Sequence, residues 1–463
     1  MTTTSGLLMV GAEMLNWSDL RPSDGRPATG GSATAALLDA TLRPTDKVLV
    51  VGPHSLQLLE LIATRASTVD VLVRSAPDAE QIARVVSGRV YCGALDRFTG
   101  TDLYDVVVAL DGLPRLIGPD TPAMSWTEGL ALLKARMAPR GRLLLAAENA
   151  FGIERLIQPD VTAGVPRNED WPGVVGGALE APVGLAGIRT ALGALAAATT
   201  VYSVYPDLVA ADLALLSPTG PLTASAIARS VAARHSGPTL MDPYRLVQDA
   251  ITAGLGRELA PVWYFVVGDK APETLPDKAI PVGDGVLLEE KLLAALKVDD
   301  QAALRRTVPA YVSWLHSLDP ESAAIASPDN VIVDGTAYRL FGSGVVVSGG
   351  AVEHLARFVR RAQEAGSRQP WAGDTQALTA RLASMAGLEV TGELTVAIDN
   401  LRPQGQAEQL ATIARLSQEL ADANEQATWF ESQLDGIRRS RPYRIGHAVL
   451  NPARVVVKRL RRL

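Results

Sequence analysis

Five short apolar runs in the first half of the chain are each followed by residues that could bind a ligand or move a proton. In chain order these residues are Gly52-Pro53-His54, Arg74, Asp96, Asp111-Gly112 and Glu148-Asn149. Carboxylates accept hydrogen bonds, a guanidinium donates them, and imidazole titrates nearest to neutral pH. His54 is therefore the natural candidate for a base, with Asp111 and Glu148 as carboxylates that position a reacting group.

The same runs predict the strands that must position these side chains. They span 47–52, 69–75, 89–95, 104–112 and 142–149, and segments with a helical pattern separate them. Short, continuously apolar strands that alternate with helices are typical of a parallel sheet covered on both faces. Because ligands of doubly wound α/β sheets bind outside the carboxyl ends of the strands, we expect the five groups of polar residues along one cleft.

The pattern along the chain predicts several structural units, which a length of 463 residues also favours. Residues 1–45 are predicted to be a turn-rich lead and a helix. A Rossmann-like domain is predicted over 46–218, closed by an antiparallel pair of strands at 200–208 and 211–218. Residues 219–400 are predicted to form a smaller α+β domain, with a strand at 261–269 and an Asp-Gly hairpin at 330–342.

One long helix is predicted over 406–438, in a segment that we delimit as 401–437. Apolar or small residues recur there with alternating spacings of three and four, at Ile413, Leu416, Leu420, Ala423, Ala427, Phe430, Leu434 and Ile437. This strict heptad favours a coiled coil over a helix packed on its own domain. We therefore expect self-association through 406–438, most simply as a dimer.

The charge distribution separates the C-terminal tail from the rest of the chain. Residues 438–463 contain nine Lys and Arg and no acidic residue, so the remaining chain carries −15 of an overall net charge of −6. Apolar residues are interspersed in this basic tail, and Asn451-Pro452 is typical of a helix start. An anionic membrane surface is the expected partner. The acidic body and the lack of an interleaved aromatic platform disfavour nucleic acid.

Cysteine content points to the compartment. Cys92 is the single cysteine, so no intramolecular disulfide can form and a cytoplasmic location is expected. No run of apolar residues is long enough to predict a membrane-spanning helix.

Two stretches, YDVVVALDGLPRL (104–116) and MAPRGRLLLAAENAFGIERL (137–156), resemble the second half of a class I S-adenosylmethionine (SAM) methyltransferase. The resemblance covers 46–218. It implies a Rossmann-like fold and SAM as the cofactor, and no metal. The cofactor-binding positions that it implies are Gly52, Pro53, His54, Arg74, Asp96 and Asp111.

The chain departs from the family pattern at three of these positions, which lie in two loops. Pro53-His54 stands where the family has the second half of a Gly-x-Gly loop, and Arg74 replaces the acidic residue that accepts hydrogen bonds from the ribose. Asp96 matches the family residue that accepts from the adenine amino group. Three interpretations follow: SAM with rearranged contacts, a different ligand with a phosphate at Arg74, or a domain without a ligand.

Two further features resemble proteins that modify glycans. The Glu148-Asn149-x-Phe151-Gly152 ending resembles a methyltransferase subgroup associated with sugar or cell-surface glycans, and 440–446 resembles the C-termini of glycan-modifying enzymes at the inner membrane face. Together with the heptad helix, the basic tail and the single cysteine, this resemblance predicts a dimeric, membrane-peripheral, cytoplasmic methyltransferase that acts on a sugar-containing acceptor. The alternative is a non-catalytic adaptor that keeps the fold and recruits partners to the membrane.

The second domain faintly resembles small-molecule kinases around 316–342. Asn330 would then match a metal-binding asparagine, but Ile325 stands at the position of the catalytic Asp. Phe341 and Gly342 stand where a metal-binding Asp belongs, so the resemblance implies a non-catalytic relic. A chance likeness is the equal alternative, because Asp-Gly hairpins are common.

Overall fold

The computed structural model of the chain describes residues 6–21, 26–158, 179–235, 239–268, 271–272, 275, 280–394, 396 and 405–439. The chain divides into two compact units, Met1–Gly405 and Gln406–Leu463.

Nine strands form one sheet in the described part of the first unit. They are β1 (Leu7–Gly11), β2 (Lys47–Val51), β3 (Thr68–Val73), β4 (Val90–Gly93), β5 (Tyr104–Ala109), β6 (Met137–Glu148), β7 (Thr199–Tyr205), β8 (Leu213–Leu215) and β9 (Val262–Val267). Their order across the sheet is β1-β4-β3-β2-β5-β6-β9-β7-β8. The strands from β1 to β6 pair in parallel, and β9, β7 and β8 complete the sheet in antiparallel pairs.

Helices cover both faces of this sheet, as the apolar runs predict. One face carries α1 (Ser32–Thr41), α2 (Leu56–Arg65) and α3 (Ala76–Ile82), and the other carries α4 (Trp126–Lys134), α6 (Gly184–Leu192), α7 (Pro221–Arg234) and α8 (Pro243–Thr252), with a short α5 (Ile153–Ile157) near them. In β2, Val48 and Val50 belong to the apolar core on the α1–α3 face of the sheet. Leu49 and Val51 belong to the core on the opposite face, which α4 and α6–α8 cover. A strand buried on both faces has no polar side, which is why its sequence is continuously apolar.

Serines begin the helices that follow β2 and β3. Ser55 Oγ accepts a hydrogen bond from the Leu58 N–H at the start of α2, and Ser75 Oγ accepts from the Asp78 N–H at the start of α3. Pro77 lies in the first turn of α3, where its missing N–H costs no helical hydrogen bond.

The predicted boundary at 218 is wrong, because the large sheet continues beyond it. β7 and β8 form the predicted antiparallel pair, but β9, which we assigned to the second domain, lies between β6 and β7. Every residue of β9 is buried, as expected for a strand inside a sheet with both faces covered. The helices α7 and α8 are therefore parts of the same layered domain as the strands that flank them.

β1 is an addition that the sequence analysis did not predict. We assigned residues 1–45 to a lead and a helix, but Leu7–Gly11 pairs in parallel with β4 at one edge of the sheet. The predicted helix is present as α1. In the connection between β1 and α1, the described residues Met14 and Thr29 contact residues that follow β3 and β2.

Helices and a small sheet make up the rest of the first unit. The helices are α9 (Leu288–Lys297), α10 (Gln301–Leu315), α11 (Pro320–Ala324), α12 (Ala351–Glu364) and α13 (Thr375–Met385), and the strands are β10 (Val286–Leu287), β11 (Val331–Asp334) and β12 (Ala337–Leu340). The predicted Asp-Gly hairpin is confirmed by the β11–β12 pair, whose turn holds Gly335 at φ +58°.

The second unit contains one helix, α14 (Gln406–Arg439), in its described part. Its described large heptad side chains are all more than half exposed: Ile413, Leu416, Leu420, Phe430 and Leu434. Pairing with a second copy stays a prediction. The basic tail from 440 onward lies outside the described residues. Among the helices of the described ranges, none is long and apolar enough to cross a membrane.

Candidate ligand-binding edge of the sheet

The carboxyl edge of the sheet has the strand order at which α/β proteins bind ligands. The order β4-β3-β2-β5-β6 reverses direction between β2 and β5, and such a reversal point is where doubly wound sheets bind their ligands. The predicted site residues lie at or just after the carboxyl ends of β2, β3, β4, β5 and β6. Their roles in binding or catalysis stay predictions.

Residues 12–21 and 26–31, which together we call the strap, lie at this edge between β1 and α1 in the chain. At one end the Met14 N–H donates to the Arg74 carbonyl at 2.8 Å, and the Ala76 N–H donates to the Met14 carbonyl at 3.0 Å. At the other end the Ser55 N–H donates to the Thr29 carbonyl at 2.9 Å, and Thr29 Oγ1 donates to the Leu110 carbonyl at 3.1 Å. Thr29 thus contacts the ends of both β2 and β5, at the reversal point.

Arg74 is buried by the strap and does not face an open cleft. Its Nε and Nη2 atoms donate to the two carboxylate oxygens of Asp19 at 2.8 and 2.6 Å, and Nη1 donates to the Ile117 carbonyl at 2.7 Å. Arg74 is 1% exposed and Asp19 is 3% exposed. The guanidinium that stands in place of the family's acidic residue is therefore neutralised within the chain.

Asp111 lies in a second buried ion pair next to the first. Arg115 holds both of its carboxylate oxygens, at 2.8 and 2.6 Å, and Arg26 of the strap approaches at 3.4 Å. Burial alone would raise the pKa of Asp111, but these guanidiniums outweigh burial and hold the pKa below its usual range. Arg115 also donates to the Arg26 and Pro27 carbonyls, which ties the strap to the end of β5.

The ring of His54 is fully buried and both of its nitrogens are used by the fold. The Leu110 N–H donates to Nε2 at 3.2 Å, so Nε2 carries no proton, and Nδ1 then donates to the Gly52 carbonyl at 3.1 Å. Burial lowers the pKa of His54, which keeps the ring neutral. The predicted role of His54 as a base does not agree with this placement, because neither nitrogen is available to a substrate.

Gly52 and Pro53 shape the loop after β2. Gly52 has φ +90°, a conformation that favours glycine, and a Cβ there would lie 3.1 Å from a Leu116 methyl group. Both residues are buried. The first glycine of the family pattern is thus explained by the local fold, without a ligand.

Glu148 and Asn149 have different surroundings at the end of β6. The Glu148 side chain is 40% exposed, and its carboxylate lies 3.8 Å from the same Arg26 guanidinium that approaches Asp111. Asn149 is buried and donates to the Glu258 and Ala260 carbonyls at 2.9 Å each. The structure therefore brings Asp111 and Glu148 to one guanidinium, whereas Asn149 has a structural role.

Asp96 differs from the other candidates. Its Oδ2 lies 3.3 Å from Arg97 Nε, whereas its Oδ1 is buried and has no hydrogen-bond partner in the structure. A buried acceptor without a donor costs free energy unless a ligand supplies one. Asp96 thus fits the role of an acceptor for an adenine amino group, whereas the ribose position at Arg74 is filled by Asp19. With the strap in place, the residues of this edge do not fit SAM as a whole.

Glu154, at the start of α5, is an ionisable residue of this region that the sequence analysis missed. Burial raises the pKa of Glu154 to about 7, and its Oε2 atom is buried without a partner. The missed partners on the strap and after β5 are Asp19, Arg26, Thr29 and Arg115. The sequence offers one signal for the two strap residues that carry charge. Asp19 and Arg26 lie in a segment that connects two elements of the sheet domain, where each could contact a charged residue of the sheet edge.

The kinase-like residues lie where the small sheet meets α7. Asn330 Nδ2 donates to the Ile325 and Gly342 carbonyls at 2.9 and 3.0 Å, and Arg229 Nη2 donates to Asn330 Oδ1 at 3.1 Å. Asn330 therefore links loops instead of facing a metal, and the kinase-like interpretation gains no support. Within the ranges that the structure describes, no group of three or more His, Cys, Asp or Glu could hold a metal ion.

Comparisons with known proteins give structural likeness only. No protein-family model matches the chain, and no curated protein matches it. Among solved structures, it is similar to the N-methyltransferase NodS of Bradyrhizobium japonicum, with 14% identity over 25% of this chain and 66% of that one, at a TM-score of 0.20.

Two other solved structures show the same limited likeness. The amino pentose methyltransferase CalS10 of Micromonospora echinaspora, solved with SAM, is 25% identical over 25% of this chain and 51% of that one, with a TM-score of 0.20. A SAM-dependent methyltransferase of Thiobacillus denitrificans, solved with S-adenosylhomocysteine, is 19% identical over 25% and 47%, with a TM-score of 0.21. This chain spans about half the length of these two. The strand order and the helices on both faces themselves are consistent with a Rossmann-like methyltransferase fold.

Proposed function

We propose that this chain is a non-catalytic scaffold with a methyltransferase-like fold, which self-associates and recruits partners to a membrane surface. One observation carries the proposal: the strap closes the carboxyl edge of the sheet and uses the groups that would hold a cofactor. Arg74 is paired with Asp19, Asp111 with Arg115, and both ring nitrogens of His54 are hydrogen-bonded within the fold.

A cofactor has to displace the strap before it binds at this edge. Separating a buried ion pair is costly, about 3–5 kcal/mol when one partner is left unpaired. A binding-competent state populated to only about 1% would weaken the apparent affinity of any ligand roughly a hundredfold. The closed edge thus favours a structural role over turnover of a cofactor.

Two other segments support the recruitment part of the proposal. The large heptad residues of α14 are exposed in the single chain, which suits pairing with a second copy. The basic tail after α14 suits an anionic membrane, and two tails in a dimer would strengthen attachment through avidity. The partners that such a scaffold would gather include enzymes that act on sugar-containing molecules at the cytoplasmic face.

A second candidate function is favoured by the unpartnered Oδ1 atom of Asp96. A SAM-dependent methyltransferase acting on a sugar-containing acceptor would use this oxygen for the adenine amino group. Asp111 and Glu148, joined by Arg26, would face the acceptor. This function requires the strap to leave Arg74 and Thr29 to leave the reversal point.

Calorimetric titration of the full chain with SAM and with S-adenosylhomocysteine separates the two functions. The scaffold proposal expects no heat of binding from either compound at about 1 mM, a concentration that would detect an interaction worth roughly 4 kcal/mol. Binding of either compound with a micromolar Kd would overturn it in favour of the enzyme. An Asp96→Ala variant then serves as the control, since it should weaken binding at this site.

A further inference from the structure

The strap is attached to the body mainly through polar groups. Its buried side chains are Ser18, Asp19 and Thr29, whereas none of its described apolar side chains is fully buried and Leu15 is 64% exposed. Segments that bury few apolar side chains open more easily than the core. The stability of the closed strap therefore depends on ion pairs and hydrogen bonds, which other charged groups can replace.

Two guanidiniums converge on the carboxylate of Asp19. Arg74 presents Nε and Nη2 to both oxygens at 2.8 and 2.6 Å, and Arg115 Nη1 lies 3.8 Å from Oδ1. The backbone of the strap is positioned by Asp78, whose carboxylate accepts from the Asp19 N–H at 2.7 Å and from Ser18 Oγ. Arg74 thus contacts Asp19 through two parallel N–H···O hydrogen bonds. Arginine binds the carboxylate or phosphate of a separate ligand with the same bidentate geometry.

Asp19 supplies the carboxylate that two buried guanidiniums contact. Arg74 and Arg115 are 1% and 3% exposed, and Asp19 is 3% exposed. Removing the carboxylate takes away both oxygens that Arg74 Nε and Nη2 contact, and loss of one partner of a buried ion pair is strongly unfavourable. An anion with two adjacent oxygens would replace these contacts.

We propose that Arg74 and Arg115 form an anion-binding site that Asp19 occupies in the closed state, and that a carboxylate or phosphate of a small molecule takes its place when the strap opens. This inference shares one premise with the proposed function, namely that the strap closes the edge of the sheet. To that function it adds the chemical class of the ligand that would displace Asp19 and open the strap. Asp19 acts as an intramolecular competitor, so its high effective concentration keeps weak anions out of the wild-type site.

The test uses the full chain with Asp19→Ala, titrated with inorganic phosphate and with acetate at constant ionic strength. The variant should unfold at a lower temperature than the wild type and regain stability with either anion. It should bind phosphate or acetate at least tenfold more tightly than the wild type. The matched control is Asp39→Ala, which removes the carboxylate of an exposed pair with Arg65 at 2.5 Å and should show no anion dependence.

Two further variants keep the test decisive. Asp19→Asn removes the charge but keeps the shape, so its amide competes for the two guanidiniums more weakly than a carboxylate does. This variant should show a smaller anion response of the same sign, even where Asp19→Ala folds poorly. The exchange Asp19→Arg with Arg74→Asp restores an internal pair and should lose the response. A folded Asp19→Asn protein whose stability is indifferent to both anions would overturn the site.

The outcomes for the site and for the proposed function are distinguishable. Phosphate or acetate binding by the Asp19 variants tests the site, whereas SAM binding by the wild-type chain tests the scaffold proposal. A response to acetate alone defines a carboxylate site, and a stronger response to phosphate defines a phosphate site. Wild-type binding of SAM together with an anion response of Asp19→Asn would overturn the scaffold proposal and leave the anion site standing.

Discussion

His54, which was predicted to act as a base, forms hydrogen bonds with the backbone through both of its ring nitrogens. Replacing it by Ala would leave the Leu110 N–H and the Gly52 carbonyl buried without partners. We expect His54→Ala to lower the free energy of unfolding by about 2–4 kcal/mol, measured by urea denaturation. His54→Gln is the control, since its amide oxygen can still accept a hydrogen bond. A catalytic His54 would instead leave stability unchanged when replaced.

His354 gives a second prediction at the residue scale. Burial lowers the pKa of His354 to about 4, and its Nδ1 atom lies 2.7 Å from Ser327 Oγ. Because the unfolded chain has a pKa of about 6.5 there, stability is full above pH 6.5 and falls as the pH drops toward 4, by roughly 3 kcal/mol.

Measurement of this effect has to allow for Glu154, which has the opposite sign. Its folded pKa of about 7 lies above that of an exposed glutamate, so its contribution is lost as the pH rises. The difference between the unfolding free energies of wild type and His354→Gln, taken from pH 7 to pH 4, isolates the histidine. A difference that does not change with pH would contradict the prediction.

The sequence identified residue types and their edge of the sheet, but not their partners. Arg74 and Asp111 follow parallel strands, so topology alone places them together. That Arg74 meets Asp19 and not a ligand depends on a contact between residues 55 positions apart. Such a pairing has no local pattern in a single sequence. For the same reason Pro53-His54 indicated a departure from the family, but not the hydrogen bonds that explain it.

At the scale of elements, the patterns of apolar residues predicted where strands occur along the chain. They did not predict which strands pair with each other in the sheet. The segment 261–269 was predicted as a strand and is one, but its position between β6 and β7 follows from tertiary packing that a local pattern does not contain. β1 was missed although residues 7–10 are all apolar, because this short run stands apart from the alternation of strands and helices that begins at residue 47. Helix starts at Ser55 and Ser75 were readable because capping is local.

α14 is the element through which we expect two copies of the chain to associate. A helix of 34 residues is about 51 Å long, and its exposed heptad face has no partner in the described part of the single chain. We expect the double variant Leu420→Asp and Leu434→Asp to convert a dimer into a monomer, measured by sedimentation equilibrium. Gln418→Asp, on the opposite side of the helix from the heptad face, is the control and should stay dimeric. An unchanged mass of the double variant would exclude the heptad as the interface.

Cross-linking gives an independent readout of the same element. The single natural cysteine, Cys92, is fully buried, and burial raises its pKa to about 12, so it should not react. A cysteine introduced at Leu420 should therefore form an interchain disulfide efficiently, whereas one at Gln418 should not.

At the scale of the whole molecule, the basic tail, 438–463, and the acidic rest of the chain carry opposite net charge. Seven of the nine basic residues of the tail lie within 440–463, and the chain before 438 is strongly acidic. Each basic residue near an anionic surface contributes about 1 kcal/mol or less, and salt screens this attraction over about 8 Å at physiological ionic strength. The acidic body is itself repelled by such a surface, so binding must depend on the tail.

Deleting 440–463 should consequently release the protein from anionic vesicles while leaving α14 complete. Wild type should cosediment with vesicles that contain phosphatidylserine, lose binding as salt rises, and ignore vesicles of phosphatidylcholine alone. The monomeric α14 variant should bind more weakly than wild type, because one tail replaces two. Replacing the seven basic residues by Gln in the full-length chain separates charge from length and should match the deletion. Retention of the deleted protein on anionic vesicles would place the membrane contact elsewhere in the molecule.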